Sequence, residues 1–203
     1  VEVRVAGVRQ FDEETVLAEA LALFWRQGVA ATSMPDLAAA TGVQRGSLYN
    51  AYGDKEAIFL RAYDRYAAGL LDLCRASLEG DDAGRILARF FETIIANMTA
   101  GAPPRGCLTT KTAADGSLAS ATIQARLRDL LDGMTAAVAA ALSRPAVRRQ
   151  LTVDPAQAAL VVVTFTRGIA VMERVYGDRR QLMRAAEGLI AGLVARPRKG
   201  RGA

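Results

Sequence analysis

Residues 29–55 read VAATSMPDLAAATGVQRGSLYNAYGDK. They divide into two short helices joined by a tight turn, followed by the start of a longer helix. Ser33 is placed to cap the first short helix, with Asp36 three residues on as its reciprocal partner. Pro35 suits the first turn, where a missing N–H costs nothing. Leu37, Ala38 and Ala40 supply an apolar face that lets another backbone come close. Thr41-Gly42-Val43 forms the turn, and Gly42 is the residue that can take a positive φ there. Gln44 to Tyr49 makes the second short helix. Gln44, Arg45 and Ser47 lie near its N-terminus, where a DNA-recognition helix carries its base-reading side chains.

The block resembles the N-terminal domain of the tetracycline-repressor-like (TetR) family of bacterial regulators. The residues that carry the resemblance are Thr32-Ser33, Asp36-Leu37-Ala38, Gly42-Val43, Gly46-Ser47-Leu48-Tyr49 and Gly53-Asp54-Lys55-Glu56. A helix-turn-helix spacing alone arises by chance. Leu-Tyr followed by an aromatic residue and then Asp-Lys-Glu is far harder to obtain by accident. The resemblance implies an all-α protein. Residues 1–55 are expected to form a three-helix helix-turn-helix DNA-binding domain, and residues 56–195 a larger helical domain for effector binding and dimerisation. Residues 196–203 are expected to be a basic tail.

The resemblance also implies roles for single residues. Arg45 is the expected base reader, since an Arg can bond guanine O6 and N7 together. Gln44 and Asn50 are secondary readers. Ser47, Tyr49, Lys55 and Thr32 match positions that hold the phosphate backbone, and Gly46 belongs to the same surface. The sequence departs from many relatives at three positions: Pro35 stands for a basic residue, Gln44 for a capping Ser and Ala51 for a His.

Charge is distributed against the simple expectation for a DNA-binding protein. The formal net charge is +5, with no histidine. Residues 1–60 hold five Lys/Arg against eight Asp/Glu, residues 61–143 hold nine of each, and residues 144–203 hold twelve against four. The basic excess is C-terminal. Non-specific DNA affinity rests on Lys/Arg neutralising phosphates, so the N-terminal module must grip with a few well-placed donors, including uncharged ones. The tail Arg196-Pro197-Arg198-Lys199-Gly200-Arg201 reads as a solvated end.

With 51% apolar residues, the 203-residue chain can bury a sizeable core. Residues 159–172, ALVVVTFTRGIAVM, are the most apolar run, but Arg167 interrupts them and they are shorter than a bilayer span. No secretory leader is legible, and two cysteines without family spacing suit a reducing compartment. The expected location is cytoplasmic.

The rest of the chain reads as helices throughout. Leu17, Ala20, Leu21 and Phe24 mark a first helix from near Asp12 to Gly28. A long helix runs from Lys55 to about Leu78, and Gly80-Asp81-Asp82 breaks it. Leu87, Phe90, Phe91, Ile94, Ile95 and Met98 form a wide apolar face on the next helix, which Gly101-Ala102-Pro103-Pro104 stops. A short helix opens near Gly106-Cys107. Ile123 through Val138 mark another, ending near Ser143-Arg144-Pro145. Asp154-Pro155 opens a helix to about Tyr176, and Asp178 opens the last, to about Val194.

The last two helices are expected to form a four-helix dimer bundle, as the resemblance implies. Leu182, Ala185, Gly188, Leu189, Gly192 and Leu193 are the expected contact residues. A two-fold operator calls for a two-fold protein. The middle helices are expected to enclose an effector cavity walled by Phe91, Ile94, Met98, Leu108, Met134 and Phe165, with Thr109, Thr112, Thr164 and Arg167 as polar contacts. An Arg inside an apolar helix must find an anion or a carboxylate such as Glu173, or reach outward to solvent.

Cys107 follows Arg105-Gly106 and precedes Leu108. A Gly-Cys-Leu step there resembles a subgroup of the family in which some members sense electrophiles or oxidants. A thiol at a helix N-terminus beside an Arg has its thiolate stabilised. The alternative is a small apolar residue filling a helix junction.

An enzyme is the competing class. The chain lacks histidine, CxxC, HExxH, GxSxG and a phosphate-cradling glycine loop. The residues therefore point to a homodimeric regulator, most simply a repressor released from a palindromic double-stranded operator by a small-molecule effector. No cofactor, metal or membrane is implied. A cysteine-based sensor, or a helical adaptor without DNA binding, are the alternatives.

Overall fold

The computed structural model describes residues 11–102 and 104–195. Pro103 and the tail 196–203 lie outside the described residues. Helices occupy nearly all of the described chain: α1 Glu13–Gln27, α2 Met34–Thr41, α3 Arg45–Tyr52, α4 Lys55–Ser77, α5 Ala83–Thr99, α6 Leu108–Ala114, α7 Ala121–Ser143, α8 Pro145–Arg148, α9 Pro155–Tyr176 and α10 Arg179–Leu193. A single 3-10 turn, Ser117–Ala119, precedes α7. The one β-like feature among the described residues is an isolated antiparallel bridge between Leu151 and Val194. The fold is all-α, as the residue pattern implies. The sequence reading missed α8 and the 3-10 turn. Both are shorter than the window in which a helical period can be read.

Most helix starts are set by side-chain caps. Asp12 accepts the N–H groups of Glu14 and Thr15, Asp82 that of Arg85, Asp154 that of Ala156 and Asp178 those of Arg180 and Gln181. Each satisfies backbone donors that would otherwise lack partners. Hydrogen bonds from Thr15, hydroxyl first and then N–H, hold the Asp12 carboxyl below its usual range.

The chain divides into two compact units. One comprises the residues up to Tyr66 together with Lys111–Arg126, and the other comprises Ala67–Thr110 with the residues from Leu127 on. The first therefore reaches beyond residue 55 and recruits a distant segment.

In the first unit, α2 packs on α1 and α3 packs on α2. Phe24, Leu37, Leu48, Ile58, Phe59 and Tyr63 are fully buried there. The Phe24 and Phe59 rings meet edge-on at 5.3 Å and those of Trp25 and Tyr66 at 4.9 Å. Such pairs add about 0.5–1.5 kcal/mol each beyond area burial.

In the second unit, α5 is the hub. Ile86, Leu87, Phe90, Phe91, Ile94, Ile95 and Met98 all lie on its buried face, and both α9 and α10 pack against it. Arg144 closes the C-terminus of α4 by donating to the Leu78 carbonyl at 2.6 Å. Gln150 accepts the Ala83 N–H at 3.0 Å and donates to the Asp81 carbonyl at 2.6 Å.

Helix α9 reaches the length and apolar composition of a membrane span, with a mean hydropathy of 1.4. The expectation of a run too short to span is corrected on length. One face nevertheless carries buried Glu173, and a helix packed into the core of a water-exposed protein has the same composition.

Candidate functional site

The DNA-facing candidate is built from α2 and α3. Ser33 accepts the Asp36 N–H at 3.3 Å, and Asp36 accepts the Ser33 N–H at 2.9 Å, so the expected capping box is present. Bonds from Ser33, hydroxyl first and N–H second, hold the Asp36 carboxyl below its ordinary value. Gly42 ends α2 at φ 68°, ψ 9°. That left-handed turn sends the chain into α3 at low cost only with glycine. Gln44 occupies the α3 N-cap without a side-chain cap bond. Leu48 and Tyr52, one turn apart, are buried and anchor α3. Gln44, Arg45, Gly46, Tyr49 and Asn50 are exposed to solvent, with Ser47 half-exposed beside them. At Gly46 an added side chain would meet nothing within 4 Å, so the protomer's own packing does not require a glycine there.

Two expected phosphate holders are committed elsewhere. Thr32 is only 2% exposed. Its hydroxyl donates to the Gly28 carbonyl at 2.6 Å and accepts from Gln27 at 3.2 Å. The structure therefore corrects its side-chain role to closing the turn after α1. Lys55 donates to the Val29 and Ala30 carbonyls at 2.8 and 3.3 Å, which leaves one of its three N–H donors for a phosphate.

The sequence reading missed a clamp on this module. Lys111 donates to the Trp25 and Arg26 carbonyls at 2.9 and 2.6 Å, satisfying the C-terminus of α1. Asp115 accepts the Val29 and Ala30 N–H groups at 2.9 and 3.3 Å. Ser120 donates to Glu56 at 2.6 Å. Gly28, at φ 87°, leaves room for this: a Cβ there would lie 2.9 Å from the Asp115 carboxylate. Burial acts to raise the Asp115 pKa, but hydrogen bonds from Ser117, Ala30 and Val29 outweigh it and the carboxyl ends below its usual range. These partners are 64–86 residues apart in sequence, and no periodicity links them.

In the second unit, the expected effector residues fall into separate groups. Phe91 and Phe165 meet edge-on at 5.9 Å. Ile94, Met98, Leu108 and Met134 are buried. Thr109 is buried as well. Thr164 is exposed on α9, which corrects its expected inward role. Thr112, also buried, belongs to the part of α6 grouped with the first unit. Arg167 donates to Cys107 Sγ at 3.3 Å and, through two nitrogens, to Thr166 Oγ1 at 3.1 and 2.9 Å. Burial pushes the Cys74 thiol up to about 11, against the opposing pull of Arg167. An open cleft of about 360 Å³ lined by Arg75, Leu78, Ala137, Ala141 and Arg144 contains none of the expected effector residues.

The outer face of the last two helices is apolar and bare in the protomer. Leu160, Val171, Val175 and Tyr176 on α9 are 53–68% exposed, and Val161 and Met172 somewhat less. Ala185, Gly188 and Gly192 are exposed on α10, and Leu189 is half-buried. Leu182 and Leu193 are corrected: with Ala186 they form the buried face of α10 within its own protomer.

Comparison with known proteins agrees with this geometry. A family model described as "Bacterial regulatory proteins, tetR family" matches residues 16–62, and one described as "Tetracyclin repressor-like, C-terminal domain" matches residues 83–189. The HTH-type transcriptional repressor ComR of Escherichia coli (strain K12) is 35% identical over 99 residues, 48% of this chain and 47% of ComR. An uncharacterised HTH-type regulator of Bacillus subtilis (strain 168), YezE, is 39% identical over 61 residues, 30% of this chain and 31% of YezE. The chain thus aligns with at most about half the length of these curated relatives. Among solved structures, a cysteine mutant of the TetR family regulator CifR, complexed with 26-base-pair operator DNA, superimposes with a TM-score of 0.81 at 25% identity, covering 91% of this chain and 98% of that one. The reduced form of E. coli NemR superimposes with a TM-score of 0.80 at 23% identity, covering 92% and 98%; at that identity the likeness is one of fold. With family models matching both the helix-turn-helix and more than half of the chain beyond it, this protein belongs to the tetR family of bacterial regulatory proteins, the helix-turn-helix transcriptional regulators.

Proposed function

We propose that this protein is a homodimeric, cytoplasmic transcriptional repressor without catalytic activity, released from a palindromic double-stranded operator by a small-molecule effector. The observation that carries the reading is α3. Its inner face is locked by Leu48 and Tyr52, and its outer face offers Arg45, Gly46, Tyr49 and Asn50 to a groove. A cysteine mutant of CifR, which has the same fold, is known in complex with its operator DNA, which supports the docking. The exposed apolar residues of α9, with the exposed Ala185, Gly188 and Gly192 of α10, support the dimer, because exposed apolar surface marks an interaction site. The clamp by Lys111 and Asp115 supports treating Lys111–Arg126 as part of the DNA-binding module. Selection of bound sequences from a random DNA library tests the proposal: a two-fold symmetric consensus is expected, and a library that yields no enrichment overturns it.

One observation favours a second reading. Cys107, 8% exposed, accepts a hydrogen bond from the Arg167 guanidinium, which places a reactive side chain beside a charged one. Operator release would then follow oxidation or alkylation of Cys107. Mild peroxide that releases wild type and not Cys107→Ser would establish it.

A further inference from the structure

Among the described residues, no carboxylate supplies a counter-charge to Arg167. It lies within α9, half-buried. It donates to the Thr166 hydroxyl and the Cys107 sulfur; neither is a carboxylate, and sulfur is a weak acceptor.

The other buried charge of this unit does not neutralise it. Glu173 is 4% exposed and its Oε2 has no protein hydrogen-bond partner. It lies six residues along α9, about 9 Å in rise and a third of a turn away around the helix. Three of the five N–H donors of Arg167 are used, leaving one on each terminal nitrogen. Two parallel donors in a fixed fork match the two oxygens of a carboxylate. A half-buried cation without a counter-ion keeps part of its desolvation cost, and a bound anion relieves it.

We infer that the effector is an organic anion whose carboxylate, or an equivalent two-oxygen group, is seated on Arg167. The inference rests on reading the second unit as the effector-binding part. It adds the chemical class of the ligand and the residue that selects it. Relief of the charge supplies the preference for one conformation that a releasing ligand needs.

The test uses the full-length protein and a series of straight-chain carboxylates from acetate to decanoate, each paired with its primary amide. At least one carboxylate is expected to raise the Tm of wild type by several degrees while its amide does not. Arg167→Met should abolish that shift, and Arg167→Lys should keep part of it. Without ligand, Arg167→Met should melt at least as high as wild type, whereas an arginine held for structure would melt lower when replaced. The inference is overturned if no carboxylate stabilises wild type, if amide and acid act alike, if the shift survives in both variants, or if unliganded Arg167→Met melts lower. Operator release is measured alongside. Arg167-dependent carboxylate binding that leaves the operator bound would keep the anion seat and remove the effector role.

Discussion

The carboxylate of Asp115 accepts the backbone N–H of Val29 at 2.9 Å, tying the segment after α6 to the turn that leads into the helix-turn-helix. The same oxygen takes the Ala30 N–H, and the turn has no helical partner for these donors. Loss of a carboxylate that caps backbone donors costs about 1–2 kcal/mol. Its pKa is lowered in the folded protein, so its contribution is complete above the unfolded value of about 3.9 and disappears as pH falls through the lower folded value. Asp115→Ala should lower Tm at pH 7 by about 2–4 °C per kcal/mol lost. The gap from wild type should close as pH falls through the lowered folded value. Calorimetry across pH checks this, and a gap that stays constant into strong acid would show that the carboxylate charge is not what holds the turn.

Arg45 and Lys55 should separate base reading from backbone grip. Arg45 is exposed on α3, and its substitution leaves the fold intact. Arg45→Ala should weaken binding by about 1–3 kcal/mol per half-site and relax preference at one base pair, with Tm unchanged. Lys55→Ala should weaken all sequences alike and also lower Tm, because its ammonium bridges the Val29 and Ala30 carbonyls. Binding titrations on operator variants with parallel melting curves distinguish the two. Full sequence preference in the Arg45 variant would remove it as a reader.

Self-association should depend on residues that the protomer itself does not use. An added side chain at Gly188 or Gly192 meets nothing within 4 Å, and Val175 is 68% exposed. Gly188→Leu with Gly192→Leu, or Val175→Asp alone, should therefore shift the protein toward monomers. Overpacking a close helix contact costs about 1–3 kcal/mol. Sedimentation velocity at micromolar concentration is the measurement, and wild type running as a monomer there would end the dimer proposal.

Cys107→Ser separates the two release mechanisms. Under the small-molecule reading it should leave release intact, because Arg167 keeps Thr166 as a partner and a hydroxyl replaces the sulfur. Reversing a population from mostly bound to mostly free takes about 5.5 kcal/mol of differential affinity for the full 1:99 to 99:1 change, more than one thiol contact supplies. Fluorescence anisotropy of a labelled operator, with and without peroxide, reads the outcome directly.

The sequence by itself determined the helices, their capped starts, the Gly42 turn and the family. Those features are local: a cap, a turn and a helical period each lie within a few residues, and the side chains that specify them are adjacent in the chain. It also placed Arg45 and Tyr49 on one surface, since i and i+4 share a helix face. Only the tertiary structure decided which faces are already spent. Leu182 and Leu193 look like contact residues in the chain but are buried within their own protomer. Thr164 faces out, Thr32 is sealed in a turn, and Lys55 spends two donors on its own backbone. The Asp115 and Lys111 clamp and the unpaired charge of Arg167 were illegible for the same reason. A hydrogen bond between residues 85 positions apart, or the absence of a carboxylate near a cation, is a property of packing in three dimensions and leaves no spacing in the sequence.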